Sequence, residues 1–320
     1  MRGGKLRTLI IAPGSMITSH QTILITGCSS GFGELTAKTL AQAGHHVFAS
    51  MRGPGSSNAR AAEALREWTA SQGVRLDIVE LDVTQPASVE AAVAAVLRAA
   101  GRLDVVVNNA GRGAIGPFEA FSLQQIDDLF SLNVYGPIRV AKAVLPPMRR
   151  RGSGLIIHVS STIGRILPGV GGLYPTTKWA LEGFAESLSY EVRPFGIDAV
   201  IVEPGAFPSP ALSKALLPDD VDVAAAYAAA HAGAEAPSNQ SAPADYRLPN
   251  PQEVADAIKR LIDLPAGTRP LRTVVGPIFT DGVAEFNDAY ARASRRLADA
   301  LERPDQAITW GRGGVNEPRT

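Results

Sequence analysis

The 320 residues carry 31 basic and 31 acidic side chains, with 45% hydrophobic and 19% charged residues. That supply of apolar material excludes wholesale disorder, and the absence of net charge excludes nucleic-acid recognition through bulk charge. One cysteine, Cys28, excludes an internal disulfide and a cysteine-rich zinc site, the five histidines show no metal spacing, and no 18-residue apolar run is present to span a membrane.

Residues 1–19 read as an N-terminal extension, consistent with translation starting upstream of Met16. Their apolar stretch Leu9–Ala12 is too short for the core of a signal peptide, and no A-x-A cleavage site follows it. From Thr22 onward, β-branched runs alternate with alanine-rich helical stretches. The strand candidates are residues 22–26, 46–50, 76–81, 104–108, 154–160, 198–203 and 273–276. Between them lie helical patterns at Gly33–Ala43, Ala59–Gln72, Ser88–Ala100, Leu123–Met148 and Pro175–Arg193. Nearly continuous apolar strands are expected where helices cover both faces. The alternation therefore predicts an α/β domain over 20–303, a doubly wound, mostly parallel sheet of about seven strands. Length alone would suggest two domains at ~150 residues each, but α/β folds often run longer as one.

Two regions break the rhythm. Residues 211–250 hold nine alanines between Ala224 and Ala236, followed by PSNQSAPAD. Alanine favours helix but buries little area, so the segment reads as a substrate lid or as an insertion without function. Residues 304–320 form a Gly-rich, patternless tail.

Directly after the first strand comes Thr26-Gly27-Cys28-Ser29-Ser30-Gly31-Phe32-Gly33, and then a helix. In such a turn Gly27 permits the tight bend, Gly31 removes a Cβ where backbone meets pyrophosphate, and Gly33 lets helix pack on strand. The helix N-terminus offers its N–H groups to phosphates. Cys28 is a small filler here, positioned so that a thiol modifier is expected to block entry to the turn.

Further landmarks follow in order: Asp82 in LDV, Asn108-Asn109-Ala110-Gly111, Asn133 in SLNVYG, Ser161 in HVSST, Tyr174-x-x-x-Lys178 and Pro204-Gly205. With the T-G-x-x-x-G-x-G turn, the chain resembles the single-domain branch of the short-chain dehydrogenase/reductase family from about Thr22 to Gly205. The resemblance implies a Rossmann fold and a nicotinamide cofactor contacted by residues 27–33. It also implies contacts from Arg52, Asp82, Val83, Asn109, Ala110, Gly111, Tyr174, Lys178, Pro204, Gly205 and Phe207, with Asp82 and Val83 near adenine. Asn108 is expected to tie strands together. The second strand ends in Met51-Arg52 rather than a carboxylate, so a ribose 2′-phosphate meets no repulsion and can be gripped by a guanidinium. NADP(H) is favoured, with NAD(H) the other possibility. Ser30 stands where many NADP-dependent members carry a second basic residue.

Tyr174 and Lys178 lie four apart on a helical pattern, so both face one side. A phenol with pKa about 10 is a poor acid or base at neutral pH. An ammonium about 4 Å away is worth about 4 kcal/mol at an effective dielectric near 20, roughly three pKa units. Tyr174 is thereby expected near 7. The resemblance assigns Ser161 to polarising a carbonyl and Asn133 to holding a water that leads protons from Lys178. Neighbouring Ser160 competes with Ser161 for its role. His158 is expected to be a satisfied core residue.

The expected function is reversible hydride transfer between NADP(H) and a small-molecule carbonyl/secondary alcohol pair. IGRILPGVGG and AFPSPALSKALL are the specificity segments by resemblance, and their apolar character favours a lipophilic substrate. Ser209 takes the family's Thr place after Pro204-Gly205. Two alternatives stand: an extended-branch nucleotide-sugar epimerase or dehydratase, and a non-catalytic NADP-sensing regulator. The resemblance further implies a cytoplasmic homodimer or homotetramer assembled through the two longest helices.

Overall fold

The computed structural model describes residues 20–167, 172–208, 214–231, 249–277 and 280–301. Seven strands pair in parallel: β1 (Thr22–Ile25), β2 (His46–Met51), β3 (Leu76–Glu80), β4 (Val105–Asn108), β5 (Gly154–Val159), β6 (Ile197–Pro204) and β7 (Arg272–Val275). Their order across the sheet is β3-β2-β1-β4-β5-β6-β7. β1 lies between β2 and β4, so the winding direction reverses there and opens a crevice at the strands' carboxyl ends. The inner strands β1, β2 and β4 are buried along their whole length, while the edge strand β3 exposes Asp77 and Glu80.

Alternate strand residues face opposite layers, as the two-residue period requires. Ile23, Ile25, Val47 and Ala49 pack under α1 (Gly31–Gln42) and α2 (Ala59–Gln72). Leu24, Phe48, Val106 and Ile156 pack under α3 (Pro86–Ala100) and the long helices that follow β4. The expected continuous helix over Leu123–Met148 is instead α4 (Leu123–Phe130), a π-helical turn at Ser131–Tyr135, and α5 (Gly136–Arg151). Helical periodicity carries no mark for one extra residue in a turn, so the pattern reads through it. α4 starts on a capping box between Ser122 and Gln125.

After β5 comes α6 (Leu173–Val192), and after β6 comes α7 (Val221–Ala230), which buries none of its residues. Two further helices lie outside the alternation read from the sequence. α8 (Gln252–Asp263) buries Val254, Ala255, Ala257, Ile258, Leu261 and Ile262 beside α1, a helical stripe of the expected period. α9 (Asp281–Ala300) follows β7 and docks by a different chemistry, described below. The extension 1–19, residues 211–213 and 232–248 of the expected lid, Ser209 and the tail 304–320 lie outside the described residues.

Candidate active site

The glycine turn is built by close backbone approach. A Cβ on Gly33 would collide with the Gly27 carbonyl oxygen and sit 2.5 Å from Asn109 Nδ2, so only glycine lets α1 approach β1 here. Gly31 has φ 63°, and among the described residues no atom beyond its chain neighbours and its own helix turn lies within 4 Å of the position its Cβ would take. Ser30 precedes α1 without capping it by its side chain, which leaves first-turn N–H groups to an acceptor outside the helix. An open cradle beside uncapped amides fits the diphosphate of a dinucleotide. Ser29, Ser30 and Phe32 are half-buried around it.

Other residues assigned to the cofactor fall into two groups. Cys28 turns its side chain into the core, where its thiol donates to the Ile25 carbonyl and its N–H donates to Ser50 O at 2.8 Å. Burial pushes the thiol well up from its usual range. The expectation that a thiol reagent blocks entry is therefore corrected: the thiol is neither exposed nor ionised. Val83 also points inward, packed against Gly136, and the Asp82 carboxylate accepts from Thr84 N at 2.9 Å and Thr84 Oγ1 at 2.7 Å. Only the outer atoms of this pair can meet an adenine. Asn109 donates to Thr26 O at 2.8 Å and Gly27 O at 3.2 Å, and Ala110 N donates to Thr26 Oγ1 at 2.9 Å. Asn108 bridges β4 to His158 Nδ1 on β5 at 3.4 Å. Gly205 N donates to Val275 O at 2.9 Å, and Phe207 meets Phe32 edge to face at 5.6 Å. Arg52 is exposed just past β2.

The catalytic candidates converge where β4, β5 and α6 meet. Tyr174 and Lys178 share one face of α6, and Lys178 Nζ lies 5.7 Å from the Tyr174 ring centre. The ammonium donates to Val159 O at 2.9 Å, at the carboxyl end of β5. Ser161 lies two residues past the end of that strand, caps the short 3-10 turn Thr162–Gly164, and donates to Pro204 O at 3.4 Å. Ser161 stands close enough to Tyr174 to favour the phenolate. Ser160 is buried beside Glu182, away from the opening, so it does not compete. Gly111 runs between Asn133 and Lys178: its Cβ would sit 3.2 Å from Asn133 Oδ1 and 3.9 Å from Lys178 Nζ.

Two expectations change. Tyr174 is not near 7: burial pushes it up to about 12, outweighing Ser161. Lys178 is itself pushed down to about 8 by burial, and its ammonium is aimed at a carbonyl rather than at the phenol oxygen. The Coulomb estimate left out the desolvation that both groups suffer. Asn133 sits in the π turn and spends both amide protons, on Arg112 O at 2.9 Å and Thr177 Oγ1 at 3.0 Å, while Oδ1 accepts from Arg112 N at 3.0 Å. A water held by this residue has to meet its oxygens. His158 is only half satisfied: among the described residues its buried Nε2 has no partner, and burial lowers its pKa to about 3, so the ring is neutral.

Sequence reasoning missed a buried ionic cluster behind Lys178. Arg272 on β7 donates to Glu182 at 2.9 Å and Glu186 at 2.6 Å, both on α6, and lies 3.3 Å from Glu203 on β6. Asn287 of α9 donates to Glu203 at 2.6 Å and accepts from Arg165 Nε at 2.8 Å. The Arg165 guanidinium stacks 4.8 Å from the Phe286 ring and 4.9 Å from the Tyr290 ring. Burial, together with Glu182, pushes Glu203 up to about 8. The available signal was Glu182 and Glu186, spaced four and eight residues beyond Lys178 on one helical stripe.

A family profile described as short chain dehydrogenase matches residues 21–219. The chain is 38% identical over 187 residues to a 3-ketodihydrosphingosine reductase of Bacteroides thetaiotaomicron, covering 58% of this chain and 64% of that protein. It is 40% identical over 198 residues to retinol dehydrogenase 8 of Homo sapiens, covering 59% and 60%. The match thus spans less than two thirds of the length of these relatives. Among solved structures, a short-chain dehydrogenase from Streptomyces avermitilis superposes with TM-score 0.65 at 32% identity, covering 90% of this chain and 98% of that one. One from Sphingobium yanoikuyae in complex with NADPH gives TM-score 0.66 at 27% identity, covering 87% and 95%.

Proposed function

Because the chain belongs to the short-chain dehydrogenase family, we propose that it interconverts a lipophilic ketone and its secondary alcohol with NADP(H). The observation that carries this reading is the meeting of Ser161, Tyr174 and Lys178 at one opening beside the glycine turn. When bound, the nicotinamide supplies or accepts the hydride. Tyr174 donates its proton to the carbonyl oxygen on reduction and takes one back on oxidation. Ser161 hydrogen-bonds the same oxygen, where charge develops. Lys178, held by the Val159 carbonyl, is the residue to hold the nicotinamide ribose and keeps its positive charge 5.7 Å from the Tyr174 ring centre. With its pKa near 12 the phenol of the free protein is in the acid form, the one that reduction requires.

Exposed Arg52, with no carboxylate beside it in the sequence, supports NADP(H) over NAD(H). A lipophilic substrate is supported by the exposed Ile115, Phe118, Ile166, Leu167 and Leu217 and by the apolar cluster of Ala114, Phe121, Leu129 and Leu173 against Tyr174. Among the described residues no helix is long and apolar enough to cross a membrane. A cytoplasmic homodimer or homotetramer through α5 and α6 belongs to the same reading. The names of the relatives do not favour the epimerase or the sensor. The test is a nicotinamide-fluorescence assay with NADPH and NADP⁺ over ketones, secondary alcohols and steroids. Turnover of apolar pairs is expected. Binding of the dinucleotide without turnover of any of them overturns the enzyme reading.

A further inference from the structure

Lys214 opens a stretch, residues 214–220, whose backbone is fastened to the edge of the site. Its carbonyl accepts from Arg112 Nε at 2.7 Å. Leu216 N donates to Gly113 O at 2.8 Å, and Leu216 O accepts from Ile115 N at 2.9 Å. Gln125 closes the anchor by donating to Leu217 O at 2.8 Å and accepting from Asp219 N at 3.1 Å. From this fixed backbone the Lys214 side chain reaches a residue 184 positions earlier: Nζ donates to Ser30 Oγ at 3.0 Å.

That contact is chemically unequal. A four-carbon side chain is ordered, yet its ammonium meets a neutral hydroxyl, which returns little of the ordering cost. Among the described residues no carboxylate pairs with it, and the acid in the first turn of α1, Glu34, is taken by Lys38 at 2.6 Å. The ammonium is exposed and stands beside the open cradle of Gly31. A full positive charge, an open backbone face and uncapped amides on one side of the glycine turn call for an anion between them.

We propose that Lys214 is a phosphate ligand of the bound dinucleotide, brought to the glycine turn by the substrate segment. On binding, its ammonium exchanges the Ser30 hydroxyl for a phosphate oxygen. The short Ser30 side chain leaves room for a cation from another part of the chain, so one residue fastens the substrate segment and the cofactor together. The inference rests on the reading of the protein as dinucleotide-dependent.

Equilibrium titration of the full-length protein with NADPH and with NADH, read by nicotinamide fluorescence, tests it without turnover. Lys214→Met is expected to weaken binding about tenfold or more, about 1.4 kcal/mol, with Lys214→Arg restoring most of it. The loss is expected to shrink at high salt. A loss shared by NADPH and NADH places the ammonium on the diphosphate, and a loss confined to NADPH places it on the 2′-phosphate; either supports the proposal. Unchanged affinity for both dinucleotides in Lys214→Met, with an unchanged melting curve, overturns it. Wild-type protein that binds neither dinucleotide overturns instead the oxidoreductase reading beneath it.

Discussion

The two sides of the crevice are held by different forces. On the β1–β2 side the glycine turn keeps its shape by steric closeness, with Gly33 against the Gly27 carbonyl and Cys28 sealed in an apolar layer. On the β5–β7 side, Ser161 and Lys178 are backed by Glu182, Glu186, Glu203, Arg165 and Arg272, a set of buried charges. Such a cluster recovers its desolvation cost only when complete, so it is weak evidence of stability and better evidence of fixed orientation. The difference teaches where each side is fragile: one fails by a misplaced methyl group, the other by an unpaired charge.

The largest effect that tests this contrast is chemical. Tyr174→Phe is expected to lower kcat by roughly 10³-fold or more while leaving NADPH titration unchanged; retained turnover would remove the chemistry from the β5 side altogether. Next comes Arg272→Met, which leaves Glu182, Glu186 and Glu203 without their shared guanidinium. Urea unfolding should show a loss of about 3–5 kcal/mol. Its counterpart across the crevice, Gly33→Ala, should cost about 1–3 kcal/mol through overpacking and weaken dinucleotide binding as well. If Arg272→Met proves as mild as a surface change, the electrostatic half of the comparison is wrong.

A pH series sharpens the same point. Lys178 titrates at about 8 in the folded chain, below its usual 10.5, so it is charged below pH 8 and neutral above. The kcat/KM for ketone reduction should be level below pH 8 and fall above it. The stability sign follows: between 8 and 10.5 the unfolded chain binds the extra proton, so stability rises with pH across that window. Lys178→Met should therefore be more stable than the wild type at pH 7, by on the order of 2 kcal/mol, with the gap closing above pH 10. Arg52→Ala should weaken NADPH by roughly 10- to 100-fold and leave NADH unaltered, measured by the same titration. Smallest of all, Ala225→Ser at an exposed position of α7 should move stability by about 0.5 kcal/mol or less.

How much of this was legible followed the physics of each feature. The strands could be read because the inner ones are nearly continuously apolar and helical patterns separate all seven, and the glycine turn because its sterics admit one residue type at Gly33. The Tyr174–Lys178 pair was legible from its helical spacing, but the two pKa values were not, since burial is a property of the fold and reversed the direction expected for Tyr174. The ionic cluster escaped because Arg272, Glu203 and Glu182 lie on three elements and become partners only when β6, β7 and α6 assemble. α8 carried a clear period and stood simply outside the family landmarks.

The π turn at Ser131–Tyr135 has a consequence for how the chain tolerates change. One extra residue in a turn rotates everything after it by about 100°. α4 therefore directs Leu129 toward Phe121 and Leu173, whereas α5 directs Val140, Ala141, Val144 and Met148 into the sheet. The turn works as a phase shifter within what would otherwise be one rod, and Asn133 sits on the step. Deleting a single residue here would shorten the protein imperceptibly, yet swing the apolar face of α5 into solvent.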